Sequence, residues 1–172
     1  MRYRKILVAL DRSPQSEIVF EQALELAKKE EAALMLFHSL PFETQGVGSY
    51  ADIFGRELIN FSVELQKVLD QESEQARQFL RNYCQKATEQ GVPTEWDLKI
   101  GDAGSRIREL AKAWDADLVI VGRRGHRGFA EIVLGSVSSY VIHQAPCSVL
   151  VVQGISPNLK QTPEAATQAM NS

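Results

Sequence analysis

Cysteine is scarce in this 172-residue chain: Cys84 and Cys147 are the two present, and they form no CxxC pair. A disulfide scaffold needs several closely arrayed cysteines, so both read as buried thiols of a reducing compartment. His143 precedes Cys147 by four residues, but one pair falls short of a zinc ligand set. Long apolar runs are also missing, and nothing approaches the ~20 residues that span a bilayer. The basic start, Arg2 to Lys5, is followed by only five apolar residues before Asp11. A secretory leader needs roughly 7–15, so none is expected. Positive charge is not in excess either. A net charge of −3 removes the whole-chain electrostatic case for nucleic-acid binding. A hydrophobic content of 44% excludes a disordered chain. The expectation is one cytoplasmic domain with no membrane or nucleic-acid partner, burying roughly 70% of its unfolded surface.

Four short apolar runs are present: Ile6–Leu10, Ala33–Phe37, Leu118–Val121 and Val149–Val152. They are continuous rather than alternating, which predicts strands buried on both faces of a helix-covered parallel sheet. Thr94–Ile100 alternates Trp96, Leu98 and Ile100 with Glu95, Asp97 and Lys99, the pattern of a half-exposed edge strand. Helical patterns lie between the runs. Ser13 and Pro14 suit the cap and first position of a helix carrying Val19, Phe20, Ala23, Leu24 and Ala27 on one face. A long helical stretch, Arg56 to Gln90, stops at Gly91-Val92-Pro93, with Phe79, Leu80, Tyr83, Cys84 and Ala87 as a core stripe. Ser105 and Ser136 are candidate caps of a third and a fourth helix, the latter ending before Pro146. Alternating strands and helices predict an α/β, doubly wound, Rossmann-like sheet with right-handed crossovers. The segment Pro41–Gly55 reads as a loop, and 154–172 as a weakly ordered tail behind a domain over 1–153.

The window Val121-Gly122-Arg123-Arg124-Gly125-His126-Arg127-Gly128, continuing to Gly135-Ser136-Val137-Ser138, holds four of the eleven glycines. It follows a buried strand and precedes a helix. Glycines let backbone amides approach a ligand, and a helix N-terminus offers unpaired donors and partial positive charge. Ser136 and Ser138 add hydroxyl donors at the same helix start. Ligands of a doubly wound sheet sit outside the carboxyl ends of its strands, where Gly122 falls. An anion cradle, most simply for a polyphosphate, is the expected chemistry. Walker A and GxGxxG spacings are both absent. Arg123, Arg124, His126 and Arg127 make the loop cationic, although exposed charges of this kind are most often only solvated.

Asp11 sits at the end of the first strand. It could accept from a ribose hydroxyl or help hold a phosphate-bridging metal; capping the helix or shaping a turn is the alternative. Ser39, just past the second run, faces the same crevice if the first two strands are neighbours.

The spacing Gly122-x2-Gly125-x9-Gly135-Ser136 resembles the ATP-binding signature of the universal stress protein family, G-2x-G-9x-G-[S/T]. Lys5-Ile6-Leu7-Val8-Ala9-Leu10-Asp11 and Ala145-Pro146-Cys147-Ser148-Val149-Leu150-Val151-Val152 are similar to that family too, so the likeness covers about 1–153. It implies an open five-stranded parallel sheet of order 3-2-1-4-5, of the adenine-nucleotide α-hydrolase-like kind. It further implies ATP at the carboxyl edge and a homodimer paired through Ser148–Val152. Position by position, Ala9, Ser39 and Val121 would line the adenine pocket, and Asp11 would lie by the ribose or a phosphate-bound Mg or Mn ion. Gly122 and Gly125 would approach the ribose and phosphates, and Gly135, Ser136, Val137 and Ser138 would hold the phosphates. Ala9-Leu10 stands where some ATP-binding members carry Pro-Thr.

No general base beside a nucleophile is visible, so no catalytic residue is assigned. A nucleotide-binding sensor of the stress response is the expected role, with ATP, ADP, AMP and cyclic nucleotides all open. A slow metal-assisted ATP hydrolase and a nucleotide-free dimeric interaction protein are the alternatives. An adenylating ligase would carry an SGGxDS loop, where this chain reads Leu10-Asp11-Arg12-Ser13-Pro14.

Overall fold

A computed structural model of the chain describes residues 2–41, 55–123 and 134–154, with side chains of the long second helix described from residue 63. Gly125, Arg124, His126, Arg127, nearly all of the 41–55 loop and the tail beyond 154 therefore lie outside the described residues. The elements run β1 (Lys5–Ala9), α1 (Ser16–Glu30), β2 (Ala33–Leu40), α2 (Gly55–Glu89), β3 (Thr94–Ile100), α3 (Ala103–Ala113), β4 (Leu118–Gly122), α4 (Ser136–Gln144) and β5 (Ser148–Val152). The five strands form one sheet in the order β3-β2-β1-β4-β5, and every pairing is parallel. Strand order reverses about β1, which has β2 on one side and β4 on the other.

The continuous apolar runs work by alternation within the strand. Ile6 and Val8 of β1, Leu34 and Leu36 of β2, and Leu118 and Ile120 of β4 enter one core. There they meet Val19, Phe20, Ala23, Leu24 and Ala27 of α1 and Leu80 and Ala87 of α2. Leu7, Met35, Phe37, Val119 and Val121 point the other way, against Ile107 and Ala111 of α3 and Val141 of α4. Each fully buried Leu, Ile or Phe contributes about 1.5–3 kcal/mol of transfer free energy, so both faces must be covered. β3 and β5 are the sheet's edges; in β3, Trp96 and Leu98 are half-buried and Glu95 and Lys99 exposed as expected, whereas Ile100, expected on the covered side, is exposed.

Three helix starts differ from the sequence expectation. α1 begins at Ser16 with Gln15 at the cap position, because Asp11 Oδ1 takes both the amide and the hydroxyl of Ser13. Residues 12–15 form a turn instead, closed by the Ser16 amide on the Ser13 carbonyl at 3.1 Å. At α3, Asp102 rather than Ser105 is the cap: its carboxylate accepts from the Ser105 amide at 2.8 Å. α4 is preceded by Gly135 in extended geometry, which makes Ser136 its first helical residue rather than its cap. The stop after α2 is as expected. Gly91 adopts φ +82°, a left-handed turn that frees the Val92 amide to bond the Ala87 carbonyl at 3.1 Å.

Candidate functional site

The carboxyl ends of β1, β2 and β4 open into a cavity of about 110 Å³. Ala9, Asp11, Ser39, Val121, Gly122, Val137 and Ser138 line it, seven of the ten residues singled out from the sequence. Gly135 and Ser136 stand beside it at the start of α4 without lining it, and Gly125 is outside the described residues. Leu10, Gln15, Ser16, Val19, Phe37, His38, Ala103 and Ile107 complete the wall and carried no sequence signal of their own. Most of them are apolar or sit at element ends, and only register and crossover geometry bring them together.

Local bonding decides which groups remain free for a ligand. Asp11 Oδ1 accepts from the Ser13 amide at 3.0 Å, the Ser13 hydroxyl and the Ser16 hydroxyl. Its Oδ2 receives no donor among the described residues. The turn-shaping role of Asp11 is therefore real, and it leaves one carboxylate oxygen available. The Ser39 hydroxyl donates to the Gly101 carbonyl at 2.9 Å, tying β2 to the turn before α3.

Ser138 departs from expectation. It is buried, and its hydroxyl donates to the Gly122 carbonyl at 2.5 Å, with the Arg123 carbonyl at 3.4 Å. A hydroxyl has a single proton, so this one is committed to the protein and is no donor to a ligand. Arg123 lies along the β5 edge, its amide on the Val152 carbonyl at 2.8 Å and its exposed guanidinium 3.4 Å from Gln153 Oε1. The Gly135 amide donates to the Arg123 carbonyl at 2.9 Å. By contrast, the amides of Ser136, Val137 and Ser138 have no acceptor among the described residues. Three orphan donors with the positive end of the α4 dipole suit a negatively charged group.

His38, missed from the sequence, is buried in the cavity wall and holds the Leu10 carbonyl through Nδ1 at 2.7 Å. Together with the Leu10 amide on the Phe37 carbonyl at 2.8 Å, this fixes the strand end that carries Asp11. Among the described residues there is no group of three or more His, Cys, Asp or Glu able to hold a metal ion. A divalent ion here would rely on the ligand's own oxygens beside Asp11. No described helix is long and apolar enough to cross a membrane.

A family model for the universal stress protein family matches residues 2–153. The chain belongs to that family. It is similar to the universal stress protein Sll1388 of Synechocystis, with 48% identity over 153 residues covering 89% of this chain and 99% of the relative. Among solved structures it resembles the universal stress protein UspA from Lactobacillus plantarum, with a TM-score of 0.72, 25% identity, and coverage of 88% of this chain and 99% of that one. A universal stress protein from Archaeoglobus fulgidus, solved in complex with dAMP, shares the fold at a TM-score of 0.56 and 23% identity, covering 88% and 98%. The resemblance read from Gly122, Gly135 and Ser136, and the strand order it implied, are thus both shown.

Proposed function

We propose that this universal stress protein is a cytoplasmic adenine-nucleotide sensor or regulator that takes ATP at the carboxyl edge of its sheet. The observation that carries the reading is the set of unaccepted amides at Ser136, Val137 and Ser138 beside a cavity lined by Asp11 and Gly122. The phosphates sit at the start of α4, next to Gly135 and near Gly122 and Gly125. The base lies against Ala9, Ser39 and Val121, and Asp11 faces the ribose or a Mg or Mn ion carried by the phosphates. A solved family member holding dAMP supports a purine nucleotide in this fold. ADP, AMP or a cyclic nucleotide would use the same elements. The chain acts as a homodimer through β5, whose outer edge has no strand beside it among the described residues. No residue is assigned to catalysis.

Ser136→Pro is the direct test. Proline at the first helical position keeps the helix but deletes one amide donor, and Gly135 already has the extended backbone (φ −61°, ψ 155°) that a residue before proline needs. In equilibrium dialysis with labelled ATP and Mg²⁺, the parent binds stoichiometrically. Ser136→Pro binds about tenfold or more weakly, as expected for a lost bond to a charged group, and Ser136→Ala, which keeps the amide, stays close to the parent. Absence of stoichiometric binding by the parent would instead support a nucleotide-free interaction protein. Steady-state phosphate release separates a binding role from slow hydrolysis.

A further inference from the structure

One buried acceptor in the cavity wall has no donor among the described residues. Gln15 stands at the cap position of α1 without a side-chain cap bond and lines the cavity, and its side-chain Oε1 is enclosed with no hydrogen-bond partner among the described residues. Buried polar atoms are nearly always paired, and an orphan calls for an explanation such as a ligand. The carboxamide is also held in place by a specific neighbour. A Cβ at position 154 would lie 2.8 Å from Gln15 Cδ and 2.9 Å from its Nε2, so Gly154 is what lets the amide group rest there.

The chemistry of the surrounding wall is one-sided. The hydroxyl of Ser16, the residue next to Gln15, is spent on Asp11. Among the described residues, Gln15 Oε1 and Asp11 Oδ2 receive no donor. At the other side of the cavity the start of α4 offers amide donors. A ligand matching both sides carries anionic oxygens at one end and neutral hydrogen-bond donors at the other.

We propose that Gln15 selects the ligand: Oε1 accepts a hydrogen bond from a neutral donor of the bound nucleoside, either a sugar hydroxyl or the amino group of the base. The inference rests on the nucleotide reading above and adds a specificity residue to it. Gly154 is the positioning residue that keeps the carboxamide in place.

The test compares the full-length parent, Gln15→Met and Gly154→Ala. Each is titrated with ATP, 2′-deoxy-ATP, 3′-deoxy-ATP and purine riboside triphosphate, all with Mg²⁺, and unfolded thermally without nucleotide. The parent discriminates against the one analogue that lacks the donor Gln15 reads. Gln15→Met weakens ATP by about three- to tenfold, the worth of one neutral hydrogen bond, leaves that analogue unchanged, and so erases the preference. Without nucleotide it unfolds at or above the parent's temperature, because an unsatisfied acceptor has been removed. Gly154→Ala displaces the Gln15 side chain from Cγ outward, so it lowers the same preference. If Gln15→Met keeps the parent's ratios, or weakens all four ligands equally, the selecting role is overturned while nucleotide binding stands. If the parent binds none of the four, the nucleotide reading fails and takes this inference with it.

Discussion

The hydroxyl of Ser138 donates to the carbonyl of Gly122 at 2.5 Å, fastening the first turn of α4 to the last residue of β4 across the intervening loop. Two residues that look like equal partners of a ligand therefore have different jobs. Ser138 sets the position and angle of α4. Its neighbours' amides, left without acceptors, are what α4 presents to the cavity. The Gly135 amide on the Arg123 carbonyl at 2.9 Å is a second fastening across the same loop.

Ser138→Ala should accordingly act on stability first. It strands the Gly122 carbonyl in a half-buried site, which costs about 1 kcal/mol. Urea unfolding is expected to show that loss as a lower midpoint at unchanged slope, while ATP affinity falls by less than about threefold. A variant with the parent's stability and a tenfold weaker affinity for ATP would return Ser138 to the ligand.

Most of the architecture was legible because burial on both faces leaves a strong trace. Runs such as Ile6–Leu10 and Leu118–Val121 cannot be exposed on either side, so a parallel, helix-covered sheet follows from them directly. Strand order was not legible from periodicity; it came with the resemblance carried by Gly122, Gly125, Gly135 and Ser136. Helix starts were misread where two polar residues compete for one cap. At Ser105 the cap is Asp102, whose carboxylate accepts the serine's own amide, whereas at Ser13 Asp11 draws the serine's amide and hydroxyl into a turn and Gln15 takes the cap position without a side-chain bond. Gln15, His38 and Ile107 were invisible as site residues. Nothing local distinguishes them, and their meeting depends on three different crossovers. The free state of the α4 amides was legible as a class of chemistry, whereas the internal use of the Ser138 and Ser39 hydroxyls required coordinates.

The cap of α3 gives a prediction in pH. The Ser105 amide, donating to the Asp102 carboxylate, holds that carboxyl below its usual range. A group whose pKa is lower folded than unfolded adds stability above its unfolded value and loses it as pH falls through the folded one. Asp102→Ala should therefore cost about 1 kcal/mol at pH 7, the usual worth of a cap. The gap between parent and variant should shrink below about pH 4, where the carboxylate is protonated. Denaturant titrations at pH 7, 4 and 3 measure the gap. A difference that stays constant across that range would mean that the charge of Asp102 contributes nothing to the cap.

The proposed homodimer is testable at β5. Among the described residues Ser148–Val152 pairs with β4 alone, and it carries no charge or proline that would blunt its open edge. Its side chains are unequal probes. Val149 and Val151 pack against the core on the α3 and α4 side, whereas Leu150 is 37% exposed and Ile142 of α4 is 44% exposed nearby in sequence. A charge at Val151 would disturb folding along with association. Leu150→Lys places an ammonium on the exposed side of the strand without opening that core. Sedimentation equilibrium should give twice the chain mass for the parent and the single chain mass for Leu150→Lys, with unchanged far-UV circular dichroism. A monomeric parent, or a Leu150→Lys protein that remains dimeric at micromolar concentration, would move any self-association away from this edge.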